Sequence, residues 1–184
     1  MQIDSLEKLF VDELKDVYSA EKQILRALPR MSKAASNDEL RKAFDNHLRE
    51  TEKQVDRLDQ IFKDLGKSPT GKKCMGMEGL IEEAKELLSE DVEEEVLDAG
   101  LISAAQRVEH YEMAAYGCLK TYAGLLGNQK AARLLEETLD EEKRADELLT
   151  QIAERTINVE AMEAGTGAGA TAERGGSSKR GSNR

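Results

Sequence analysis

The stretch from Ala104 to Gly117, AAQRVEHYEMAAYG, places two acids and an imidazole among small and apolar residues, at Glu109, His110 and Glu112. Small and apolar residues of this kind are typical of a buried helix. Burying an ionised carboxylate without a partner, however, costs several kcal/mol. These acids must therefore either face solvent or bind something that compensates their charge.

Further acids lie within or beside apolar stripes in three other parts of the chain. Glu21 fills a step that its stripe reserves for a core residue, and Glu50 and Glu142 lie at or next to comparable steps. Each of these acids, like Glu112, is about 13 to 16 residues from the nearest expected turn, or about 20 to 24 Å along a helix. Antiparallel helices would therefore bring all four carboxylates to one level near mid-height.

Four carboxylates at one level of an apolar interior need protons, basic partners or cations. Oxygen ligands with one or two imidazoles suit iron or manganese better than thiolate-binding metals. His47, Glu109 and Asp146 each lie one helical turn from one of the four acids, so they can complete or orient the site. The sequence thus predicts a centre of two iron ions, with manganese as an alternative. Its ligands would be drawn from Glu21, Glu50, Glu112, Glu142, Glu109, His47 and Asp146.

An alternative without metal stays open for the same residues. Charged residues make up 35% of the chain, so some acids reach matching heights by accident. His47 is then a hydrogen-bonded core histidine, and His110, about 100° from Glu109 around the helix, packs beside the site or supports it from outside. We expect three other acids to face solvent or form salt bridges: Glu136, Glu137 and Glu141.

The elements that carry these residues are expected to be helices throughout. Aromatic residues are only 4%, there are two prolines, and apolar residues recur in steps of three and four. Pro29 should bend or locally break the first helix near its end. The pattern predicts helices over residues 2–36, 38–65, 77–88, 92–126 and 129–158, with polar N-caps among Ser36, Asn37 and Asp38 and helix ends at Gly66, Gly127 and Asn128.

Two tight hairpins joined by one long connection indicate an all-α, ferritin-like four-helix bundle. The short extra helix lies in the crossover between the second and third long helices. We expect residues 1–158 to form this bundle domain. Residues 159–184, rich in Gly and Ser, are expected to form a disordered tail because they offer no large apolar side chains apart from Met162 and Val159 near its start.

Composition excludes several classes of function. The net charge of −10 would repel phosphate backbones, so no nucleic acid is expected to bind the folded domain. No apolar run approaches the length needed to span a bilayer and the first residues lack a targeting pattern, so we expect a cytoplasmic protein without a membrane partner. Cys74 and Cys118 match no zinc or redox spacing and are expected to be reduced and without a role.

Five blocks of the sequence resemble the YciE/YciF family of bacterial ferritin-like proteins, in order and over nearly the whole of residues 1–157. The blocks are DVYSAEKQILRALPRM, HLRETEKQVDRLDQIF, CMGMEGLIEEAKEL, AAQRVEHYEMAAYG and ETLDEEKRADELL. The resemblance implies a stress-associated homodimer with a four-helix bundle and a supporting short helix, in a family often labelled ferroxidase. It offers no counterpart for the tail.

The chain departs from the usual di-iron pattern of Glu-x-x-His on two of the four helices. His47 precedes Glu50 in reverse order, and Glu142 is followed by Asp146 without any histidine. Two hypotheses follow. The first is a carboxylate-rich centre that oxidises Fe(II) with dioxygen or peroxide. The second is a non-enzymatic, stress-associated helical dimer whose central acids bind no redox metal. A storage nanocage is a third, weaker alternative.

Overall fold

The computed structural model describes residues 3–172, with side chains as far as residue 165, and all regular structure in this range is helical. The predicted all-α class is therefore confirmed. The helices are α1 (Leu6–Ala34), α2 (Asp38–Leu65), α3 (Met75–Ser89), α4 (Glu94–Leu125) and α5 (Gln129–Ile152), followed by a π-helical segment (Ala153–Ile157) and α6 (Asn158–Ala172). None of the described helices combines the length and the apolar character that crossing a membrane requires.

Local sequence fixes the helix ends close to where the pattern places them. The side chain of Asn37 accepts hydrogen bonds from the first turn of α2, and Asn128 does the same for α5. Gly66 closes α2 in the left-handed conformation with φ of 62°, which glycine adopts without steric cost. Gly127 supplies the same conformation between α4 and α5.

The four long helices pack as a bundle of two hairpins. Helix α1 contacts α2, and α4 contacts α5; the hairpins then meet through contacts of α1 with α4 and of α2 with α5. The short α3 lies against α1 and α4. The bundle therefore encloses one axis, toward which each long helix turns its apolar stripe.

Two apolar clusters fill this interior, one on each side of a polar layer. One cluster includes Phe10, Leu14 and Val17, whereas the other includes Ile24 and Leu28. Buried polar side chains occupy the level between them on all four long helices. They include Glu21, His47, Thr51, Gln54, Glu109, Glu112 and Glu142.

Of the bend or local break expected at Pro29, the break does not occur. Helix α1 continues to Ala34, and Pro29 lies on its exposed side. Leu28 and Met31, on either side of the proline, are buried at 4% and 7% exposure. Packing of these neighbours keeps the backbone helical despite the missing donor.

The end of the chain differs from the expectation of a tail beginning at residue 159. The helix passes through the π-helical segment, where Ala153 and Ile157 are buried, and continues as α6 to Ala172. Helix α6 contacts α4, and the alanines in it favour helix even without a large apolar stripe. The rest of the expected tail, residues 173–184, lies outside the described part.

The turn between α1 and α2 is held by a buried acid from α4. Asp98, 2% exposed, accepts hydrogen bonds from the Ser36 backbone N–H (2.9 Å), the Ser36 hydroxyl (2.7 Å) and the Asn37 backbone N–H (2.8 Å). A carboxylate at the start of α2 also complements the positive end of the helix. This residue links the two hairpins at one end of the bundle.

Removing this link should destabilise the bundle. We expect Asp98→Ala to lower the free energy of unfolding by about 2 kcal/mol, because three charge-assisted hydrogen bonds are lost. Urea denaturation measures the effect, with the exposed Asp91→Ala as the control of equal charge change. Equal stability of the two variants would contradict this role for Asp98.

Candidate metal centre

Four buried side chains from three helices converge at the polar layer. His47 comes from α2, Glu109 and Glu112 from α4, and Glu142 from α5. One ligand-type atom of each lies within 4.8 Å of those of the other three. The His47 Nε2 atom is 3.4 Å from Glu109 Oε1 and 3.8 Å from Glu142 Oε2. The structure thus brings four of the seven predicted ligand residues into one group.

Glu21 brings a fourth carboxylate from α1 to the same level. It is fully buried, and the hydroxyl of Tyr116 donates a hydrogen bond to its Oε1 atom. The second oxygen, Oε2, has no hydrogen-bond partner. Tyr116 thereby fixes the orientation of Glu21 and leaves one oxygen free for a ligand.

Glu142 is oriented in a similar way by an amide. Gln54, which is fully buried, donates from Nε2 to Glu142 Oε1 and also, at 3.2 Å, to Glu141 Oε2. Glu141 in turn accepts two hydrogen bonds from the Arg57 guanidinium, each 2.6 Å long. Arg57 is thus committed to Glu141, whose predicted salt bridge is confirmed, and does not reach the cluster acids.

The buried acids lack compensation from the protein. Among the described residues, no lysine or arginine forms an ion pair with Glu21, Glu109, Glu112 or Glu142. Several of their oxygens, and both ring nitrogens of His47, are buried without a hydrogen-bond partner. These atoms are Glu21 Oε2, Glu109 Oε2, Glu112 Oε1 and Oε2, Glu142 Oε2, and His47 Nδ1 and Nε2.

Burial shifts the pKa values of this cluster in the direction that favours the uncharged forms. Burial first, and the neighbouring carboxylates next, raise the pKa values of Glu109 and Glu112 well above the ordinary range. The pKa of Glu142 is raised to about 7, mainly by burial, whereas burial lowers that of His47 to about 4. The imidazole is therefore neutral at pH 7, the form that binds metals.

The donor set fits two divalent ions. Four carboxylates and one neutral imidazole provide hard oxygen ligands with a single nitrogen, a set that suits iron or manganese. The total charge of two divalent cations is equal in size and opposite in sign to that of four carboxylates. Such ions would therefore offset the repulsion between the carboxylates, which raises their pKa values. The unpartnered oxygens are the atoms that such ions would bind.

Two of the predicted ligands lie at the edge of this group. The side chain of Glu50 is 41% exposed, and its Oε2 atom is 4.0 Å from His47 Nδ1. Asp146, whose side chain is 23% exposed, contacts the His110 Nε2 atom at 3.3 Å and accepts a hydrogen bond from Gln106. His110 accordingly lies outside the cluster, as its position around the helix predicts.

Gln54 and Tyr116 are the residues of the site to which sequence reasoning assigned no role. Gln54 lies one turn beyond Thr51 in the stripe of α2, a polar residue where an apolar one is expected. Cys74, expected to have no role, caps α3 by accepting the Met77 backbone N–H and contacts the Tyr111 hydroxyl at 2.9 Å. A polar residue at a core position of a helix, such as Gln54, is thus the sequence signal that could have identified the supporting residues of the site.

Comparison with known proteins gives a family and several relatives. The family described as Domain of unknown function (DUF892) matches residues 5–162. Protein YciF of Escherichia coli (strain K12) is 48% identical over 162 residues, which are 88% of this chain and 98% of that protein.

Solved structures of similar proteins superpose over most of the chain. The crystal structure of the Escherichia coli stress protein YciF matches at 48% identity with a TM-score of 0.82, covering 85% of this chain and 99% of that one. The structure of YcfI from Rhodopseudomonas palustris matches at 45% identity with a TM-score of 0.80. The match covers 83% of this chain and 97% of that one. The crystal structure of a protein from Xanthomonas campestris matches at 23% identity with a TM-score of 0.70, covering 88% of this chain and 98% of that one. At this identity the likeness shows the fold alone.

The buried carboxyls should make the metal-free protein less stable at alkaline pH. Their pKa values are raised on folding, so the folded state holds more protons than the unfolded state above about pH 4.5, and unfolding becomes easier as pH rises. His47 acts oppositely, but only between its folded pKa of about 4 and its ordinary value of 6.5. We therefore expect the melting temperature of chelator-treated protein to fall between pH 6.5 and 8.5.

The matched variants for this measurement are Glu112→Gln, which removes one buried ionisable group, and Glu52→Gln, which removes an exposed one on α2. The fall in melting temperature between pH 6.5 and 8.5 should be smaller in Glu112→Gln than in the wild type. In Glu52→Gln it should equal that of the wild type. A melting temperature of the metal-free wild type that rises over this range would contradict the burial of these acids.

Proposed function

The chain belongs to the DUF892 family, and from this premise we propose that it is a ferritin-like, di-metal protein of the bacterial stress response that oxidises Fe(II). Its resemblance to YciE/YciF proteins is confirmed. The description of YciF as a stress protein supports the physiological setting. The pairing of two helical hairpins, with α3 in the long connection, supports the ferritin-like arrangement.

One observation carries the proposal of a metal centre. Four carboxylates and an imidazole meet in the core with seven of their polar atoms unpartnered, and Arg57 is held by Glu141. An apolar environment makes such a group costly unless cations are bound. Surface acids, by contrast, need no such explanation, because water solvates them.

Each residue then has a defined part in binding. Glu21, Glu109, Glu112 and Glu142 supply carboxylate oxygens, and His47 supplies one ring nitrogen. The Tyr116 hydroxyl and the Gln54 amide hold two of these carboxylates by one oxygen each, so that the second oxygen points to the ligand. Glu50, half-exposed beside His47, could add a carboxylate at the edge of the site.

Bound iron would supply one-electron redox chemistry. With Fe(II) as substrate, two ions give up one electron each. Dioxygen accepts the two electrons with two protons and leaves as hydrogen peroxide, or hydrogen peroxide accepts them and leaves as two hydroxide ions. The carboxylates favour the product because four negative charges stabilise Fe(III) more than Fe(II). Manganese would occupy the same ligands.

We expect a cytoplasmic homodimer, as the family resemblance implies, with metal ions as its ligands. If the central acids proved to bind no redox metal, the chain would instead be a non-enzymatic helical dimer acting through its surface.

Metal binding is tested with Mn(II), which stays unoxidised in titration calorimetry. We expect Glu112→Gln to weaken Mn(II) binding by about tenfold or more, because a charged ligand is lost without a change of shape. The metal-free Glu112→Gln protein should melt at the same or a higher temperature, because a buried charge is removed. A loss of Mn(II) binding in Glu112→Gln would then not result from a loss of folding.

Glu52→Gln serves as the control and should bind as the wild type does. Mn(II) should also raise the melting temperature of the wild type, since a ligand of the native state stabilises it. An unchanged melting temperature, or equal Mn(II) affinity in all three proteins, would favour the non-enzymatic alternative.

Oxidation is tested by loading the protein with Fe(II) without oxygen and then adding air or hydrogen peroxide. A near-ultraviolet ferric band should develop faster than in buffer. In the double variant Glu21→Gln, Glu142→Gln it should develop no faster than in buffer. The control Glu52→Gln, Glu136→Gln removes two exposed acids. If the wild type and the double variant gave equal rates, Fe(II) oxidation would not be a function of this site.

A further inference from the structure

A cavity of about 590 Å³ lies between α1, α3 and α4 and ends beside the buried acids. Its inner end is lined by His47 and Glu109, both buried, whereas its outer end is lined by exposed charged residues. The walls between are apolar. They include Ile24, Leu28, Leu80, Ile81, Leu88 and Val108. This volume lies within the range of about 300 to 1,000 Å³ that is typical of small-molecule sites.

The outer end is basic, although the chain as a whole is acidic. Of its lysines, Lys73 pairs with Glu78 and Lys85 with Glu82, while Lys72 pairs with acids of α1. These pairs neutralise the lysines.

Arg26 and Arg30 are different, because neither forms an ion pair or a hydrogen bond within residues 3–172. They lie four residues apart, so their guanidinium groups share one face of α1. Like charges at this spacing destabilise a helix, and a chain with a net charge of −10 offers many acids that could have paired with them. An anion between the two arginines would relieve the repulsion.

Guanidinium groups bind carboxylates through paired, nearly parallel hydrogen bonds. The apolar walls beyond them exclude small hydrophilic anions as complete occupants, because such an anion would leave the cavity unfilled. A ligand that matches both parts of the cavity combines an anionic head with a long apolar body.

We propose that this cavity binds a single-chain alkyl carboxylate, a fatty acid, with its head on Arg26 and Arg30 and its chain directed toward His47. The walls of α1, α3 and α4 bury the chain, and removal of its methylene groups from water favours binding. The bound chain excludes water from the inner end of the cavity, next to the cluster of acids. Binding itself needs no metal.

The test uses the full-length, metal-free protein and follows displacement of the fluorescent probe 1-anilinonaphthalene-8-sulfonate by dodecanoate below its micellar concentration. Dodecanoate should displace the probe at least tenfold more effectively than dodecanol, which has the same chain and a neutral head. Butyrate, with the same head and a short chain, should displace little. Equal displacement by dodecanoate and dodecanol would overturn the proposal.

Variants locate the binding. Arg26→Gln with Arg30→Gln should weaken dodecanoate binding about tenfold and leave dodecanol unchanged, whereas the control Arg133→Gln on α5 should change neither. Ala27→Phe, at the cavity wall, should weaken both ligands. Wild-type affinity for dodecanoate in the arginine variant would overturn the proposal, as would a second copy of the chain covering this face, detected as a dimer that binds neither ligand.

The outcome is separable from that of the metal proposal. The variant Glu21→Gln, Glu142→Gln should lose Fe(II) oxidation and still bind dodecanoate. A chain that binds metal but not dodecanoate, or dodecanoate but not metal, refutes one proposal and leaves the other standing.

Discussion

The burial of like charges in one layer is the constraint on which the rest of this protein depends. Four carboxylates sit in a core that is apolar on both sides, and no lysine or arginine of the described residues pairs with them. Repulsion of this kind would favour an open bundle, because separation into water solvates each charge. The two apolar clusters hold the helices together against it, and bound cations would convert the repulsion into attraction.

The surroundings of this layer are arranged so that its charge is not cancelled from outside. Arg57 reaches the level of the cluster but is fixed by Glu141, with a further contact to Glu137. Gln54 and Tyr116 orient carboxylates by hydrogen bonds and bring no positive charge. The protein thus positions its acids with neutral donors, which leaves the charge of the site available to a ligand.

Helix α3 gives the bundle an asymmetry that four long helices alone would lack. It lies on α1 and α4, where Cys74 caps its start and contacts Tyr111, which donates a hydrogen bond to Asp16 of α1. This network holds α3 at a distance that leaves a cavity beneath it. Gly100 allows Leu87 of α3 to approach α4 closely, because a side chain at residue 100 would clash with Leu87. The same connection that closes the bundle therefore also forms one route to its centre.

The sequence by itself determined the elements, the helix ends and the presence of acids at mid-height. Apolar steps, Asn37, Gly66 and Gly127 act locally, so periodicity and turn chemistry reveal them without a fold. Glu21 was predictable as a buried acid because it interrupts an apolar stripe on its own helix.

Only the tertiary structure decided which side chains meet. Glu50 lies one turn from the buried His47, and Asp146 one turn from the buried Glu142. Rotation of α2 and α5 about their own axes nevertheless leaves Glu50 and Asp146 at the edge of the cluster, while Glu109 and His47 turn inward. The continuity of α1 through Pro29 likewise depends on the packing of Leu28 and Met31, which local propensity does not contain. The spacing of residues along the chain fixes the height of each side chain on its helix. The direction in which a side chain faces is set by contact of its helix with the neighbouring helices.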